Sequence, residues 1–196
     1  MKRILFLLWG LLVFYQVGAQ NRKIAFEKTT LREALNKASS ERKLTFVDCY
    51  TEYCGPCKTM DALVFTLDSV ADFFNSTFVN VKLDMLSEDG KQYADTYKIG
   101  AYPSFLLLDH EGKIVYKFVG GKTADVFMAE IRKGMRPDNR VARMNETYAS
   151  GKYSNDFLRE YVQLKLQLLE RKECLRLGKE YFDRLTSRER VKAENW

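Results

Sequence analysis

The chain has 196 residues, of which 46% are hydrophobic, 13% aromatic and 30% charged, a composition that excludes an intrinsically disordered protein. The formal net charge of +6 is mild, and acidic and basic residues are interleaved, so a nucleic-acid partner is not indicated. The length accommodates one domain of roughly 100–150 residues together with an additional segment.

The N-terminal segment has the three features of a secretory signal peptide. Lys2 and Arg3 form a positive head, residues 4–17 are almost all apolar, and small residues follow at 17–19. We therefore expect residues 1–19 to be removed during export to the periplasm or another exported location. The alternative is a retained membrane anchor, but the apolar stretch is shorter than the ~20 residues that span a bilayer. We expect no stable membrane insertion of the mature chain.

The next elements are predicted from capping residues and hydrophobic periodicity. Thr30 and Glu33 fit a capping box that begins a helix at about 31–40. A buried strand is expected at 44–50, and a helix that runs past Met60 follows the Cys54-x-x-Cys57 motif. The later elements are a short helix from 68 or 69, a strand at 77–83, a helix at 88–97, a strand at 104–108, a turn at 109–112, a strand at 113–119 and a helix after Thr123.

This order of elements predicts an α/β fold in which a central mixed sheet is flanked by helices on both faces. The domain is expected at 20–136, because the pattern of strands and helices ends near 136–137. Residues 137–196 are predicted to form a helical C-terminal extension of two or three amphipathic helices. We favour packing of these helices on the domain or on each other over a helical-repeat surface for a partner. One apolar stripe consists of Phe157, Tyr161, Leu164 and Leu168, and a second consists of Cys174, Gly178 and Tyr181.

The pair Cys54 and Cys57 lies where a strand gives way to a helix. A helix N-terminus carries unpaired N–H groups and partial positive charge, which stabilise the thiolate that attacks disulfides. Cys54 is the expected exposed nucleophile, Cys57 the resolving thiol, and Pro56 suits the first turn. A zinc half-site is the less favoured alternative, because zinc takes about four ligands and His110 is the sole histidine. The other alternative is that Cys54 and Cys57 form an inert structural disulfide.

The segment 46–58, which contains Cys54-Gly55-Pro56-Cys57, resembles the active-site segment of thioredoxin. The resemblance extends over about 31–135 in the order and spacing of elements. It implies the thioredoxin fold and thiol–disulfide oxidoreductase activity, with no bound cofactor and no metal. The paired Phe73-Phe74 is similar to the exported thioredoxin-like group, which includes the periplasmic reducing domain of a transmembrane thiol-reductant carrier.

Two charged residues gain a role from the resemblance. Asp48 matches the buried carboxylate beneath the thioredoxin active site, and burial of a carboxylate is costly and raises its pKa. Such a group suits a proton acceptor for Cys57. The alternative is a structural Asp48 that accepts a hydrogen bond from a backbone donor. Lys82 matches the lysine that neighbours this carboxylate, although alone it would be typical of a solvated strand position.

The resemblance also implies substrate-binding residues. Tyr102-Pro103 matches the cis-proline element that faces the cysteine pair, and the residue before this proline contacts the substrate backbone in the family. Tyr53, Gly55 and Pro56 complete the expected substrate-binding set. Tyr53 stands where the family usually has tryptophan.

The two other cysteines have no expected catalytic role. Cys49 replaces an aromatic residue of the common pattern, and we expect a buried, inert thiol. Cys174 lies on the apolar face of the extension and is expected to pack in its core. A bridge between Cys49 and Cys174 is the less favoured alternative.

The function predicted from these residues is reduction of protein disulfides outside the cytoplasm by the Cys54–Cys57 dithiol. A reductant in an oxidising compartment requires a thiol electron donor, which we expect to be membrane-bound. One alternative is a disulfide isomerase or oxidase on the same fold. Another is a binding or assembly module that acts through the helical extension, which the complete motif disfavours.

Overall fold

The structure is a computed structural model that describes residues 22–192, so the predicted signal peptide at 1–19 lies outside the described residues. Within 22–192 the chain forms five strands and eight α-helices. In chain order these are β1 (Phe26–Glu27), α1 (Leu31–Glu41), β2 (Leu44–Tyr50), α2 (Gly55–Leu63), α3 (Asp68–Thr77), β3 (Phe78–Asp84), α4 (Glu88–Thr96), β4 (Ser104–Leu108), β5 (Ile114–Val119), α5 (Ala124–Gly134), α6 (Arg140–Ala149), α7 (Asn155–Gln167) and α8 (Arg171–Arg184).

The five strands form one mixed sheet in the order β1-β3-β2-β4-β5. Strands β1 and β2 both run parallel to β3, whereas β4 is antiparallel to β2 and to β5. Strand β2 is therefore central, and its register places Asp48 opposite Lys82 of β3 and Phe105 of β4. Side chains at paired positions share a face and lie close together, so the register itself brings Asp48 and Lys82 together.

The two faces of the sheet have different cores, because successive strand residues point to opposite sides. Phe46 and Phe105 belong to a large cluster that α2, α3 and α5 cover. Val47, Cys49 and Leu106 face a smaller cluster that includes residues of α1 and α4. Helices therefore lie on both faces, as predicted.

Phe127 of α5 is fully buried at the centre of the larger cluster, and five aromatic rings surround it. Ring centroids 5.2–6.1 Å from that of Phe127 belong to Phe46, Phe65, Phe74, Phe105 and Phe118. Through these ring contacts, Phe127 fixes the packing of α5 on the sheet.

We expect Phe127→Ala to lower the free energy of unfolding by about 3–5 kcal/mol, because the lost ring leaves a cavity between packed aromatic side chains. Urea denaturation measures this change. Val126→Ala on the same helix is the matched control, since Val126 is exposed, and its effect should stay within about 0.5 kcal/mol. Equal losses in both variants would contradict this description of the core.

The helical extension consists of three helices in the described residues, α6, α7 and α8. Helix α6 packs against β5, and α7 packs against both α6 and α8. The buried side chains of the extension join the larger cluster of the domain. Tyr161, Leu164 and Leu168 are buried as the stripe predicted, while Cys174 is only half-buried. Leu177, which the stripes did not include, is fully buried.

The predicted elements agree with the structure except in small details. Strand β1 was not predicted, because it has only two residues and so shows no alternation. Strand β3 begins and ends one residue later than expected, at Phe78 and Asp84. The Thr30–Glu33 capping box is present, with both reciprocal hydrogen bonds. None of the helices within residues 22–192 is long and apolar enough to span a bilayer.

Candidate active site

The two cysteines of the motif form a disulfide at the N-terminus of α2. Cys54 is the N-cap, and its Sγ accepts a hydrogen bond from the backbone N–H of Cys57 at 3.1 Å. Pro56 lies in the first turn, where its missing N–H leaves no helical hydrogen bond unmade. This turn therefore presents a backbone donor to the sulfur of Cys54.

The exposure of Cys54 differs from the expectation. Cys54 is 9% exposed and Cys57 is 3% exposed, so the predicted nucleophile is buried, although it remains the more accessible of the pair. The backbone N–H of Cys54 donates to the carbonyl of Thr51 at 3.1 Å. The turn that this hydrogen bond closes places Cys54 against the domain. Its neighbours Tyr53 and Gly55 are exposed and frame the sulfur.

The location of Cys54 favours thiolate chemistry when the disulfide is reduced. The N–H of Cys57 would then donate to a charged sulfur, and charge-assisted hydrogen bonds are stronger than neutral ones. The dipole of α2 adds to this stabilisation. Both effects favour the reactive form of a cysteine.

A charged cluster lies on the sheet around Asp48, which is 2% exposed. The ammonium of Lys82 lies 3.4 Å from Asp48 Oδ2 and donates to both carboxylate oxygens of Asp61, at 2.5 and 2.7 Å. It also lies 4.7 Å from the centre of the Tyr50 ring. Lys82 is therefore bound more closely by Asp61 of α2 than by Asp48.

Burial raises the pKa of Asp48 to about 7, because the ionised carboxylate loses its hydration. The charge of Lys82 opposes this rise, and the charge of Asp61 adds to it. Among the described residues no donor hydrogen-bonds Asp48 Oδ1. The backbone donor of the structural alternative is therefore not found at Oδ1 within the described part of the chain.

Asp61 is a member of this cluster that the sequence analysis missed. It is four residues after Cys57 on α2, one turn further along the same helix face. An acidic residue at this position, combined with a lysine expected beneath the site, is the signal that could have identified it. The sequence alone does not show that α2 reaches Lys82.

We expect Asp61→Asn to lower the pKa of Asp48 from about 7. The substitution removes a nearby negative charge and frees Lys82 to approach Asp48 Oδ2. Titration of the Asp48 carboxyl carbon by NMR measures the shift. Asp183→Asn on α8 removes an equal charge from the extension and should leave this pKa unchanged. A pKa of Asp48 that stays constant or rises in the Asp61 variant would contradict the arrangement.

The Tyr102–Pro103 peptide bond is cis, as the resemblance implies. Pro103 is buried, and its carbonyl accepts a hydrogen bond from the N–H of Gly120 at 2.9 Å. A Cβ on Gly121 would lie 3.4 Å from Pro56 Cβ. The Gly120–Gly121 turn therefore connects the cis proline to the cysteine motif, and the two predicted parts of the site lie side by side.

A groove of about 610 Å³ continues from the motif along α2. Pro56, Met60 and Leu63 line one wall, and residues 121–124 line the other. Leu63 and Tyr53 are 65% and 81% exposed, which is high for such large apolar side chains. The groove offers an apolar side chain a place beside Pro56 of the cysteine motif.

The remaining sequence candidates lie away from this site. Cys49 is 1% exposed on the opposite face of β2, and burial raises the pKa of its thiol, which favours the inert form. Cys174 is a free, half-buried cysteine in α8. Cys49 and Cys174 do not form a disulfide in this structure. His110 is exposed in the turn between β4 and β5.

The thioredoxin family model matches residues 22–133. Thioredoxin H1 of Arabidopsis thaliana is 37% identical over 93 residues, which are 47% of this chain and 75% of that protein. Thioredoxin H-type 2 of Nicotiana tabacum is 37% identical over 90 residues, or 46% of this chain and 70% of that protein.

A solution structure from Bacteroides thetaiotaomicron, of a protein proposed to be a disulphide-isomerase, is 40% identical to this chain. It superposes with a TM-score of 0.56 and covers 61% of this chain and 99% of that one. A thioredoxin from Thermus thermophilus, 21% identical with a TM-score of 0.50, shares the fold.

The family match covers more than half of the chain and includes the sheet, the Cys54–Cys57 disulfide and the cis proline. The sheet with helices on both faces is the thioredoxin fold, and three further helices follow the domain in the described residues. The thioredoxin relatives and the disulfide at the N-terminus of α2 make the protein a thioredoxin-like thiol–disulfide oxidoreductase. The chain belongs to the thioredoxin family.

Proposed function

We propose that this protein is an exported reductase of protein disulfides. The observation that carries the proposal is the Cys54–Cys57 pair at the N-terminus of α2, where Cys54 Sγ accepts the Cys57 N–H. A cysteine stabilised in this way is a competent nucleophile toward disulfides and also a good leaving group when the pair re-forms its own disulfide.

In the first step of the proposed reaction, the Cys54 thiolate attacks one sulfur of a substrate disulfide. A bond forms between Cys54 Sγ and that sulfur, the substrate S–S bond breaks, and the other substrate sulfur leaves as a thiolate that takes a proton from water. The product of this step is a mixed disulfide between enzyme and substrate.

In the second step, Cys57 loses its proton and attacks Cys54 Sγ. The enzyme disulfide forms, the mixed disulfide breaks, and the second substrate thiolate leaves. The enzyme dithiol has then lost two electrons to the substrate disulfide. An external dithiol donor returns these electrons and restores the reduced enzyme.

Asp48 is the proposed acceptor for the Cys57 proton. A carboxylate with an ordinary pKa near 3.9 is too weak a base to take a proton from a thiol efficiently. Burial raises the pKa of Asp48 to about 7, which brings it nearer to that of a cysteine. Lys82 stabilises the ionised form of Asp48 at 3.4 Å and so keeps part of the population ready to accept the proton.

The substrate is proposed to lie as an extended segment over the exposed rim of the site. Tyr53, Gly55 and Pro56 are exposed beside Cys54, while Tyr102 is half-buried before the cis proline. These residues lie around the disulfide, of which Cys54 is the more accessible half. The apolar groove along α2 would take a neighbouring substrate side chain.

The exported location is proposed from residues 1–19, with their positive head, apolar stretch and small-residue exit. An oxidising compartment supplies disulfide substrates and demands a source of electrons. We therefore propose a membrane-bound thiol carrier as the donor.

A disulfide isomerase is the second candidate function, because the Bacteroides thetaiotaomicron protein proposed to be one is 40% identical to this chain. The two functions use the same cysteines and differ in the fate of the mixed disulfide. Rapid attack by Cys57 releases a reduced substrate, whereas slow attack leaves time for the substrate to rearrange its own disulfides.

Two assays in parallel test the proposal with the mature protein. A reductase should accelerate the reduction of insulin disulfides by dithiothreitol at least tenfold over dithiothreitol alone, and should reactivate scrambled ribonuclease only weakly. Efficient reactivation of ribonuclease, together with slow insulin reduction, would support the isomerase instead. Activity in neither assay would contradict both functions.

A further inference from the structure

The turn between α7 and α8 contacts the loop that leads to the cis proline. A Cβ placed on Gly100 would lie only 1.9 Å from the backbone carbonyl oxygen of Leu169. The backbones of loop and extension therefore touch directly at Gly100, and no larger residue fits between them. Gly100 is three residues before Pro103.

A buried ion pair reinforces the same contact. Lys117 of β5 and Glu170 at the start of α8 have side chains that are 0% and 2% exposed, and Lys117 Nζ donates to Glu170 Oε1 at 2.8 Å. Lys165 of α7 lies 3.1 Å from Glu170 Oε2. Two lysines from different elements thus meet one carboxylate of the extension.

The other N–H groups of the Lys117 ammonium donate hydrogen bonds to the backbone of the loop. Its ammonium donates to the carbonyls of Tyr97 at 3.1 Å and of Lys98 at 2.7 Å, so all three N–H bonds have acceptors. These carbonyls directly follow the C-terminus of α4, where a positive charge is favourable. Glu170 therefore acts on the loop through Lys117, which binds the residues where the loop begins.

The loop is short and held at both ends. Lys98 has a left-handed backbone, with φ of 54°, and Ile99 N–H bonds to Ala94 at 2.8 Å. At the other end the carbonyl of Pro103 is bonded to Gly120. Movement at Lys98 or Gly100 would consequently be transmitted to the cis peptide bond.

We propose that Glu170 and the α7–α8 turn are positioning elements of the substrate-docking site, which hold the cis-proline loop in place through Lys117 and Gly100. The inference rests on the proposed function and gives the extension a part in it. A contact that only stabilised the fold would be served as well by apolar residues, because burial of charges is costly. The fixed geometry of the pair instead places the loop backbone.

The test compares Glu170→Gln with Glu180→Gln. Glu180 serves as the control, because it is a carboxylate of α8 that accepts hydrogen bonds from Tyr148 and Tyr153 within the extension, although its side chain is 24% exposed and that of Glu170 only 2%. Both substitutions remove one charge from the extension. Only the first lies at the cis-proline loop.

Amide hydrogen exchange gives a readout that does not depend on activity. We expect Glu170→Gln to raise exchange of the Ile99 and Gly120 amides at least tenfold relative to the amides of β2, which report global opening. Glu180→Gln should change this ratio less than threefold. An unchanged ratio in the Glu170 variant would overturn the inference, whether or not the wild-type protein reduces insulin.

Kinetics separate positioning from mere stability. We expect Glu170→Gln to raise KM for insulin about tenfold, with kcat and the midpoint potential of the Cys54–Cys57 pair unchanged. A small aromatic disulfide, which has no peptide chain to dock, should react at the wild-type rate. Parallel losses with all substrates, in proportion to unfolded protein, would also overturn the inference.

If the Glu170 variant does not fold, Gly100→Ala tests the same contact from the side of the loop. The added methyl forces the loop and Leu169 apart, whereas Gly178→Ala in α8 meets nothing within 4 Å and serves as its control. We expect the same exchange and KM changes in the Gly100 variant alone. Wild-type values for Gly100→Ala would contradict the proposal.

Discussion

Replacement of Cys54 by serine is expected to reduce catalysed insulin reduction to below about one-thousandth of the wild-type rate. Serine does not ionise near neutral pH and forms no disulfide, so the first bond of the reaction cannot form. Cys57→Ser is expected to behave differently. Its Cys54 still attacks, but nothing resolves the product, and the protein should accumulate as a mixed disulfide with substrate.

Non-reducing electrophoresis and mass spectrometry of the adduct measure the trapped species, and insulin turbidity measures turnover. Cys174→Ser is the matched control, because Cys174 is a free, half-buried cysteine of α8 outside the site. It should retain wild-type turnover. Substantial turnover by the Cys54 variant, or an adduct carried by Cys57 in its place, would contradict the roles given to the pair.

Asp48→Asn is expected to stabilise the protein at alkaline pH and to slow its chemistry. The pKa of Asp48 is raised by burial to about 7 in the folded protein, against about 3.9 when unfolded. Between these values the folded state retains a proton that the unfolded state has lost, so stability falls as pH rises through this range. At about pH 8 the ionised Asp48 costs up to about 4 kcal/mol, which asparagine avoids.

We therefore expect the variant to be about 2–4 kcal/mol more stable than wild type at about pH 8, and nearly equal to it at about pH 4. Denaturation across the pH range measures the difference. Without the carboxylate, resolution of the mixed disulfide should slow by roughly a hundredfold, at the lower end of general-base effects. A constant stability difference across pH, or unchanged resolution, would contradict a buried Asp48 that accepts a proton.

Much of the fold was predictable because its signals are local. The capping box at Thr30 fixes the start of α1, and the run of β-forming residues around Phe46 marks a buried strand. Turn residues between β4 and β5 mark the hairpin. Strand β1 was missed because two residues carry no period, and its pairing with β3 arises only from the tertiary fold.

The candidate site was predictable to the extent that its residues are close in sequence or match the family. The Cys54–Cys57 pair follows from spacing, while Asp48 and Lys82 gained their connection from the resemblance. Asp61 was missed, because its pairing with Lys82 depends on how α2 lies over the sheet. The contact of Glu170 with Lys117 was harder still to predict, since it joins residues that are 53 positions apart in the sequence.

The extension shows the same limit. Its amphipathic stripes predicted packing, which the burial of Tyr161 and Leu164 confirms. They could not show that the turn after α7 reaches the backbone before the cis proline. A charged residue such as Glu170 at a helix start is typical of solvated positions, and only the three-dimensional structure reveals that it is buried.

The most direct test of the reductase is the midpoint potential of the Cys54–Cys57 pair in the mature protein, measured by thiol labelling after equilibration with glutathione or dithiothreitol. We predict a value near that of thioredoxin, about −270 mV, at which the dithiol reduces most protein disulfides. A value at or above about −180 mV would contradict the reductase and favour disulfide isomerisation or formation. A pair that does not titrate would contradict redox catalysis by these cysteines altogether.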